Sequence, residues 1–254
     1  MSFIPRLRTV VYAVAITGPP FLYGRSAIRQ LEEKYPALSP GDASTLALRT
    51  CRDSDRHIPY VDVFGARVPI TGLPLNSPDK DLAQPCLEEL WARAFFNSKA
   101  VQLEGRIVGG GRLSATDLGG EGFQLGAYLL AGLMRIVRPP TVGTPLLVEW
   151  RMPAHLVGFF ERIARWGYPW RLMDGGMHEW SVGRVYGDEE SLEVEVRFAS
   201  AHIYKIVEEE GESRKVIPRW VQRLHRAYAR FLLDRAVDEV RQRANSRPHF
   251  GVSN

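Results

Sequence analysis

Two runs late in the chain decide the fold: Met177-His-Glu-Trp-Ser-Val-Gly-Arg-Val-Tyr186 and Leu192-Glu-Val-Glu-Val-Arg-Phe-Ala-Ser-Ala-His-Ile-Tyr-Lys-Ile-Val207. Both alternate apolar and polar residues, the pattern of a strand with one buried face. The apolar set is Trp180, Val182 and Tyr186 in the first run, and Leu192, Val194, Val196 and Phe198 in the second. All are even-numbered, while Glu193, Glu195 and Arg197 take the opposite face. A slip of one residue would turn a whole strand over. Pairing Tyr186 with Leu192 keeps the apolar sets together. It also sets His178 opposite Ser200, with His202 one diagonal step away. Arg184, beside Gly183, breaks the inner pattern, and either a bulge or an internal charge accounts for it.

Upstream, Trp170-Arg-Leu-Met173 reads as a further strand, joined to the first run by an Asp174-Gly175-Gly176 loop. That loop pairs 172 with 178 and 170 with 180, and brings Arg171 against Glu179 on the solvent side. Leu146-Leu-Val-Glu-Trp-Arg-Met152 alternates, with Leu146, Val148, Trp150 and Met152 on one face. Pro153 opens a helix to about Trp166. Downstream, Glu208-Glu-Glu-Gly-Glu-Ser213 reads as a solvated turn, and Pro218 opens a long helix. Its stripe runs from Ile217 and Trp220 through Leu224, Tyr228 and Phe231 to Ala236 and Val240. Such a stripe must cover something apolar, and the inner sheet face is its natural partner.

The first half reads as mostly helical. Ser26 to Tyr35 suits a helix, and Pro85 opens another that reaches about Asn97, with Leu87, Leu90, Trp91 and Phe95 in one stripe. Tyr60 to Val68 reads as a strand. Ser39 to Arg56 reads as a polar loop, and Val101 to Val108 as either a strand or a helix. The glycine-dense run Gly109 to Gly122 is a flexible loop or a mobile lid over a cavity.

Apolar residues make up 45% of the 254-residue chain, charged residues 24%, and the net charge is +4. That is ordinary globular usage and excludes a disordered chain, a collagen and a coiled coil. The reading is one α+β domain over 1–254: an N-terminal helical extension (1–58), a cavity-bearing core (59–244) and a tail (245–254). Cys51 and Cys86 are too few for a disulfide framework or a Cys-rich metal site, and they fit a reducing, cytoplasmic compartment. The histidines, His57, His155, His178, His202, His225 and His249, show no close metal-ligand spacing. No esterase, zincin, phosphate-loop or dinucleotide signature occurs, so no cofactor is expected. The arginines between Arg214 and Arg247 read as a solvated helix face, and no nucleic-acid partner is expected. The apolar run Thr9 to Thr17 is too short to span a bilayer. It reads as a short buried helix, as a surface anchor giving weak membrane association, or as a cleaved signal.

An antiparallel meander followed by a long helix lying across it resembles the START-like, helix-grip superfamily, which includes polyketide cyclases and lipid or hormone binders. The resemblance spans about residues 146–244 and rests on element order and apolar periodicity. Leu90-Trp-Ala-Arg-Ala-Phe-Phe96 and Trp220-Val-Gln-Arg-Leu-His-Arg-Ala-Tyr-Ala-Arg-Phe231 also resemble domains of that kind. The resemblance implies an antiparallel sheet curved around the final helix, and an apolar cavity between them for a hydrophobic ligand. It carries no catalytic residue over.

Parity puts His178, His202 and Tyr204 on the inward face. Imidazoles there can shuttle a proton or polarise a carbonyl, and Tyr204 can donate a hydrogen bond to the same ligand. They also suit two hydrogen-bonded core histidines. Trp150, Trp170, Trp180, Phe198 and Tyr228 would supply apolar walls. The expectation is a cofactor-free enzyme that binds a bulky hydrophobic small molecule. Its reaction would be a cyclisation or isomerisation, pericyclic chemistry of the Diels-Alder type included, or a dehydration, in secondary metabolite biosynthesis. The alternatives are a non-catalytic lipid or small-molecule carrier and a peripheral membrane-associated protein.

Overall fold

The computed structural model describes residues 24–51, 53–70, 73, 86–109, 112–187 and 192–246. The apolar run at Thr9 to Thr17 and Pro85 lie outside them. The chain is α+β. A first helix, α1, covers 24–34. Strands β1 (Arg56–His57) and β2 (Val61–Pro69) lead to helices α2 (Leu87–Phe96) and α3 (Lys99–Gly109). Next come β3 (Tyr128–Leu129), β4 (Met134–Arg138), β5 (Leu146–Arg151) and helix α4 (Ala154–Arg165). The last elements are β6 (Gly175–Tyr186), β7 (Glu193–Lys205) and helix α5 (Arg219–Ser246). Among the described residues, no helix is long and apolar enough to cross a membrane.

The strands make one antiparallel sheet in the order β3-β4-β5-β6-β7. Beyond β7, its free side is shared by β2, along 193–201, and β1, along 204–205. The β6–β7 register sets His178 opposite Ser200, as expected, and keeps the even-numbered residues of that stretch on one face. The pairing slips between Val182 and Val185, and Tyr186 lies opposite Glu193 rather than Leu192. A bulge therefore accounts for Arg184 and turns it out to solvent.

The 170–173 strand does not form; β6 pairs with β5 instead. Gly175 and Gly176 are the first residues of β6, and they are glycines for lack of space. A Cβ on Gly175 would stand 2.3 Å from the Trp150 carbonyl oxygen, and one on Gly176 2.3 Å from that of Ala201. The expected Arg171–Glu179 pair is absent as well. Arg171 pairs with Glu210 at 3.4 Å, while Glu179 accepts from the Ser44 amide at 2.9 Å.

The even-numbered sheet face holds the main core. Leu146, Val148, Trp180, Val196 and Phe198 meet Trp91, Phe95 and Phe96 from α2. Fully burying an aromatic or branched side chain contributes about 1.5–3 kcal/mol. The element lying over β6 is α2, while α5 packs on β2 and beside α2. The expected α5 stripe divides: Leu232, Ala236 and Val240 are buried, but Trp220 is 63% and Leu224 50% exposed. The odd-numbered face is covered too. Ala43 and Leu48, from the segment read as a polar loop, pack on Val63, Leu147, Ala199 and Ala201.

The stretch 101–108 is helical and belongs to α3. The glycine-dense segment, described from 112 onward, is pinned rather than loose. The Asp117 carboxylate accepts from the Ser114 amide at 2.8 Å and the Ala131 amide at 3.1 Å. The Asp117 carbonyl accepts from the Leu130 amide at 2.9 Å. These bonds hold Leu130 (φ 50°) and Ala131 (φ 56°) in the left-handed region, which costs a non-glycine residue about 1–2 kcal/mol.

Candidate functional site

The inner face between β5, β6 and β7 carries a concentrated set of buried polar atoms with no protein hydrogen-bond partner. They are Trp150 Nε1, both ring nitrogens of His178, Trp180 Nε1, Ser200 Oγ and both ring nitrogens of His202. Leaving such a group unpaired costs about 1–3 kcal/mol, so most buried polar atoms are paired. Several together mark a place where the chain keeps hydrogen-bonding capacity in reserve.

The sheet register builds this set. His178 and Ser200 are cross-strand partners, and the next inward pair is Gly176 and His202. Trp150 lies opposite Gly176 on β5. A Cβ at 176 would come within 2.8 Å of the Trp150 ring, so glycine there lets the indole lie across the strand. The indole thereby reaches both histidines, with ring centroids 6.1 Å from His178 and 5.9 Å from His202.

Both imidazoles are held neutral. Burial pushes His178 down to about 3, and the nearby His225 acts in the same direction. Burial likewise holds His202 well below the ordinary histidine value, with His225, His178 and Arg226 adding to it. His225, on α5, is depressed by burial and then by Arg226. A neutral imidazole offers one N–H donor and one lone pair. The cluster thus presents donors and acceptors without a net charge.

Next to His178 lies a cavity of about 70 Å³. Phe95, Trp180 and Phe198 wall it, with Glu104, His178, His225 and Tyr228 as its polar members. Tyr228 is 40% exposed, so the cavity meets the surface beside it, between α3 and α5. The Tyr228 hydroxyl pairs with Glu104, whose carboxyl is raised by burial and partly lowered by that bond. Ligand pockets for drug-sized molecules run to roughly 300–1,000 Å³, so this space takes only a few non-hydrogen atoms. The interior is filled far more closely than a bulky guest requires. Phe95 occupies it, stacked on Phe198 at 5.3 Å and edge-on to Trp180 at 5.2 Å.

Of the residues expected from sequence, His178, Trp180, Phe198 and Tyr228 meet at the cavity. His202 and Trp150 adjoin it through the indole contacts. Tyr204 is buried further along β7, where its hydroxyl accepts from the Ile217 amide at 3.3 Å. Burial pushes that hydroxyl up to about 12. Trp170 lies elsewhere, stacked on Phe160 at 6.0 Å and tilted against Tyr168 at 4.7 Å. It sits there because residues 170–173 leave the sheet.

His225 and Glu104 were missing from the sequence reading. A signal for His225 was present: it falls in phase with Ala229, Leu232, Ala236 and Val240, the buried side of α5. Among the described residues, no three His, Cys, Asp or Glu side chains are placed to hold a metal ion. Comparison with protein-family models, with curated proteins and with solved structures finds no match to the chain.

Proposed function

We propose that the protein is an enzyme acting on an uncharged small molecule, in a cyclisation, isomerisation or dehydration, with the neutral imidazoles of His178 and His202 polarising a carbonyl through their N–H groups. The unpaired nitrogens of these neutral imidazoles carry the reading. A neutral imidazole can take a proton from carbon or lend its N–H to a carbonyl, and efficiency is best near neutral pKa. The strong depression of His178 favours lending a hydrogen bond over holding a proton. Ser200 Oγ and Trp150 Nε1 would orient the substrate. The cavity volume supports a compact substrate, or the polar end of a larger one entering beside Tyr228. A helix-grip relationship is part of the proposal, supported by the antiparallel sheet and the long final helix. A cytoplasmic setting is too, supported by the free thiols Cys51 and Cys86.

The test uses small cyclic ketones, lactones and phenols as probes, with binding read as a thermal shift and chemistry as deuterium uptake from D2O. Binding with deuterium uptake, both lost in His178→Phe and His202→Phe, supports the enzyme. Binding with no uptake supports a carrier instead. Failure of every probe to bind, or identical behaviour of the variants, refutes the site.

One observation favours peripheral membrane association as a second reading. Trp220, Leu224 and Phe231 form an exposed apolar ridge on α5, and Leu103 and Ile107 are exposed on α3. Aromatic residues suit the headgroup region of a bilayer. Cosedimentation with anionic vesicles, lost in Trp220→Ser with Leu224→Ser, would support it; no cosedimentation would remove it.

A further inference from the structure

A second, larger cleft of about 630 Å³ lies on the opposite, odd-numbered sheet face, under residues 45–51 and 53–56. Its volume falls inside the range of small-molecule sites. Its apolar floor includes Leu147, Met177 and Ile203. Six charged side chains line it: Asp53, Arg56, Arg138, Glu149, Arg151 and Asp174.

Four of those charges are spent within the protein. Arg56 holds Asp53 at 2.9 Å, and Arg135 holds Glu149 at 3.1 Å. Arg138 faces the buried Glu179 at 3.8 Å and also bonds the Thr45 hydroxyl and, at 3.2 Å, the Pro145 carbonyl. Arg151 and Asp174 belong to no ion pair among the described residues. Yet the backbone brings them to the same end of the cleft. Arg151 pairs in register with Gly175, and the Met152 amide donates to the Asp174 carbonyl at 2.9 Å.

We propose that this cleft binds a small zwitterion with an apolar body, an amino acid of the leucine type, its carboxylate on Arg151 and its ammonium on Asp174. A guanidinium matches a carboxylate with two parallel hydrogen bonds, and a carboxylate accepts from an ammonium. The balance of charge argues for the class. With Arg151 and Asp174 the two wall charges not spent within the protein, an anion or a cation alone would leave one of them unmatched, while a zwitterion satisfies both. The floor of Leu147, Met177 and Ile203 takes the aliphatic side chain. Asp174 is half-buried, and burial and then Glu161 raise its carboxyl, opposed by Arg56, Arg171 and Lys205. A ligand ammonium relieves that burden.

The experiment is calorimetric titration of the full chain with L-leucine, 4-methylpentanoate and 3-methylbutylamine, which share one carbon body. Leucine is expected to bind at least tenfold more tightly than either singly charged analogue. Arg151→Gln and Asp174→Asn should each weaken leucine at least tenfold with no change in thermal midpoint. A second readout spares the fold entirely: leucine should slow alkylation of Cys51, which lines the cleft, and leave Cys86 unaffected. Equal binding of the three compounds, no binding of leucine, or unslowed alkylation of Cys51 would overturn the proposal. So would loss of leucine binding in His178→Phe, which moves the ligand to the inner face.

Discussion

His202 on β7 and His225 on α5 meet edge to face, with ring centroids 4.4 Å apart, and His178 lies close enough to act electrostatically on His202. A proton on any one of these rings disfavours a proton on the next. Strand and helix are thus joined at the site by groups that must all be uncharged for the packing to hold. A pH-dependent stability follows.

Histidine in an unfolded chain titrates near 6.5. The folded value of His178 is about 3, and His202 and His225 are shifted the same way. Below pH 6.5 the unfolded chain therefore binds protons that the folded chain does not. The contribution of His178 is full above about pH 6.5 and is lost on acidification toward pH 3, by up to about 1.4 kcal/mol per pH unit, and His202 and His225 act in the same direction. Urea midpoints measured from pH 7.5 to 5 should hold to about pH 6.5 and then fall in the wild type, and fall less steeply in His178→Phe and His202→Phe. Equal slopes would show that the rings do not titrate as a buried set.

Two glycines should respond in opposite directions to the same substitution. Gly176→Ala puts a methyl group against the Ala201 carbonyl and the Trp150 ring. It should cost several kcal/mol, about 3 or more, or prevent folding. Gly158, inside α4, has nothing within 4 Å of its Cβ position. Gly158→Ala should stabilise by about 0.5–1 kcal/mol by relieving helix-interior glycine of its backbone entropy. Guanidinium denaturation reads both; stabilisation by the first substitution would contradict the register.

Trp180 is fully buried and touches Phe95, Phe96 and Phe198. Trp180→Ala should cost about 3–5 kcal/mol and enlarge the inner cavity, whereas Trp180→Phe should cost markedly less. If a two-ring apolar probe such as naphthalene binds only to Trp180→Ala, the wild-type interior is as closely filled as described; binding to the wild type as well would contradict it.

Asp234 ties the N-terminal helix to the C-terminal one. It accepts from Lys34 at 2.6 Å and from the Tyr35 hydroxyl at 2.9 Å, and it pairs with Arg235. Asp234→Ala leaves the Tyr35 hydroxyl buried without a partner and should cost about 1–3 kcal/mol. Hydrogen exchange over 24–34 should rise in that variant. Adding Tyr35→Phe should recover part of the loss; exchange unchanged in α1 would show that other contacts hold it.

Much of the sheet was legible because parity is a strict rule. Even-numbered apolar residues on β6 and β7 had to share a face; setting Tyr186 against Leu192 then put His178 against Ser200, and this inner pair holds although the bulge moves Tyr186 to Glu193. The turn chemistry misled, because Gly175-Gly176 also suits a loop, and sequence does not distinguish a glycine chosen for turning from one chosen for closeness. The outer face misled for another reason. Glu179 and Ser181 look solvated in a strand pattern, but Ser44 and Arg138, distant in sequence, cover and pair the first of them. Helix α5 exposes Trp220 and Leu224 while turning a partly buried His225 toward His202. A hydropathy stripe drawn through its largest apolar residues therefore points to the wrong side of the helix.

The crowding at Gly176 bears on how this chain can drift over generations. Shrinking residue 150 would remove the indole but not the Ala201 carbonyl, which belongs to the backbone and cannot be mutated away. Position 176 is therefore closed to every other amino acid whether or not the imidazoles keep a task. The glycine is thus fixed by the closeness of two strands, independently of anything the side chains around it do.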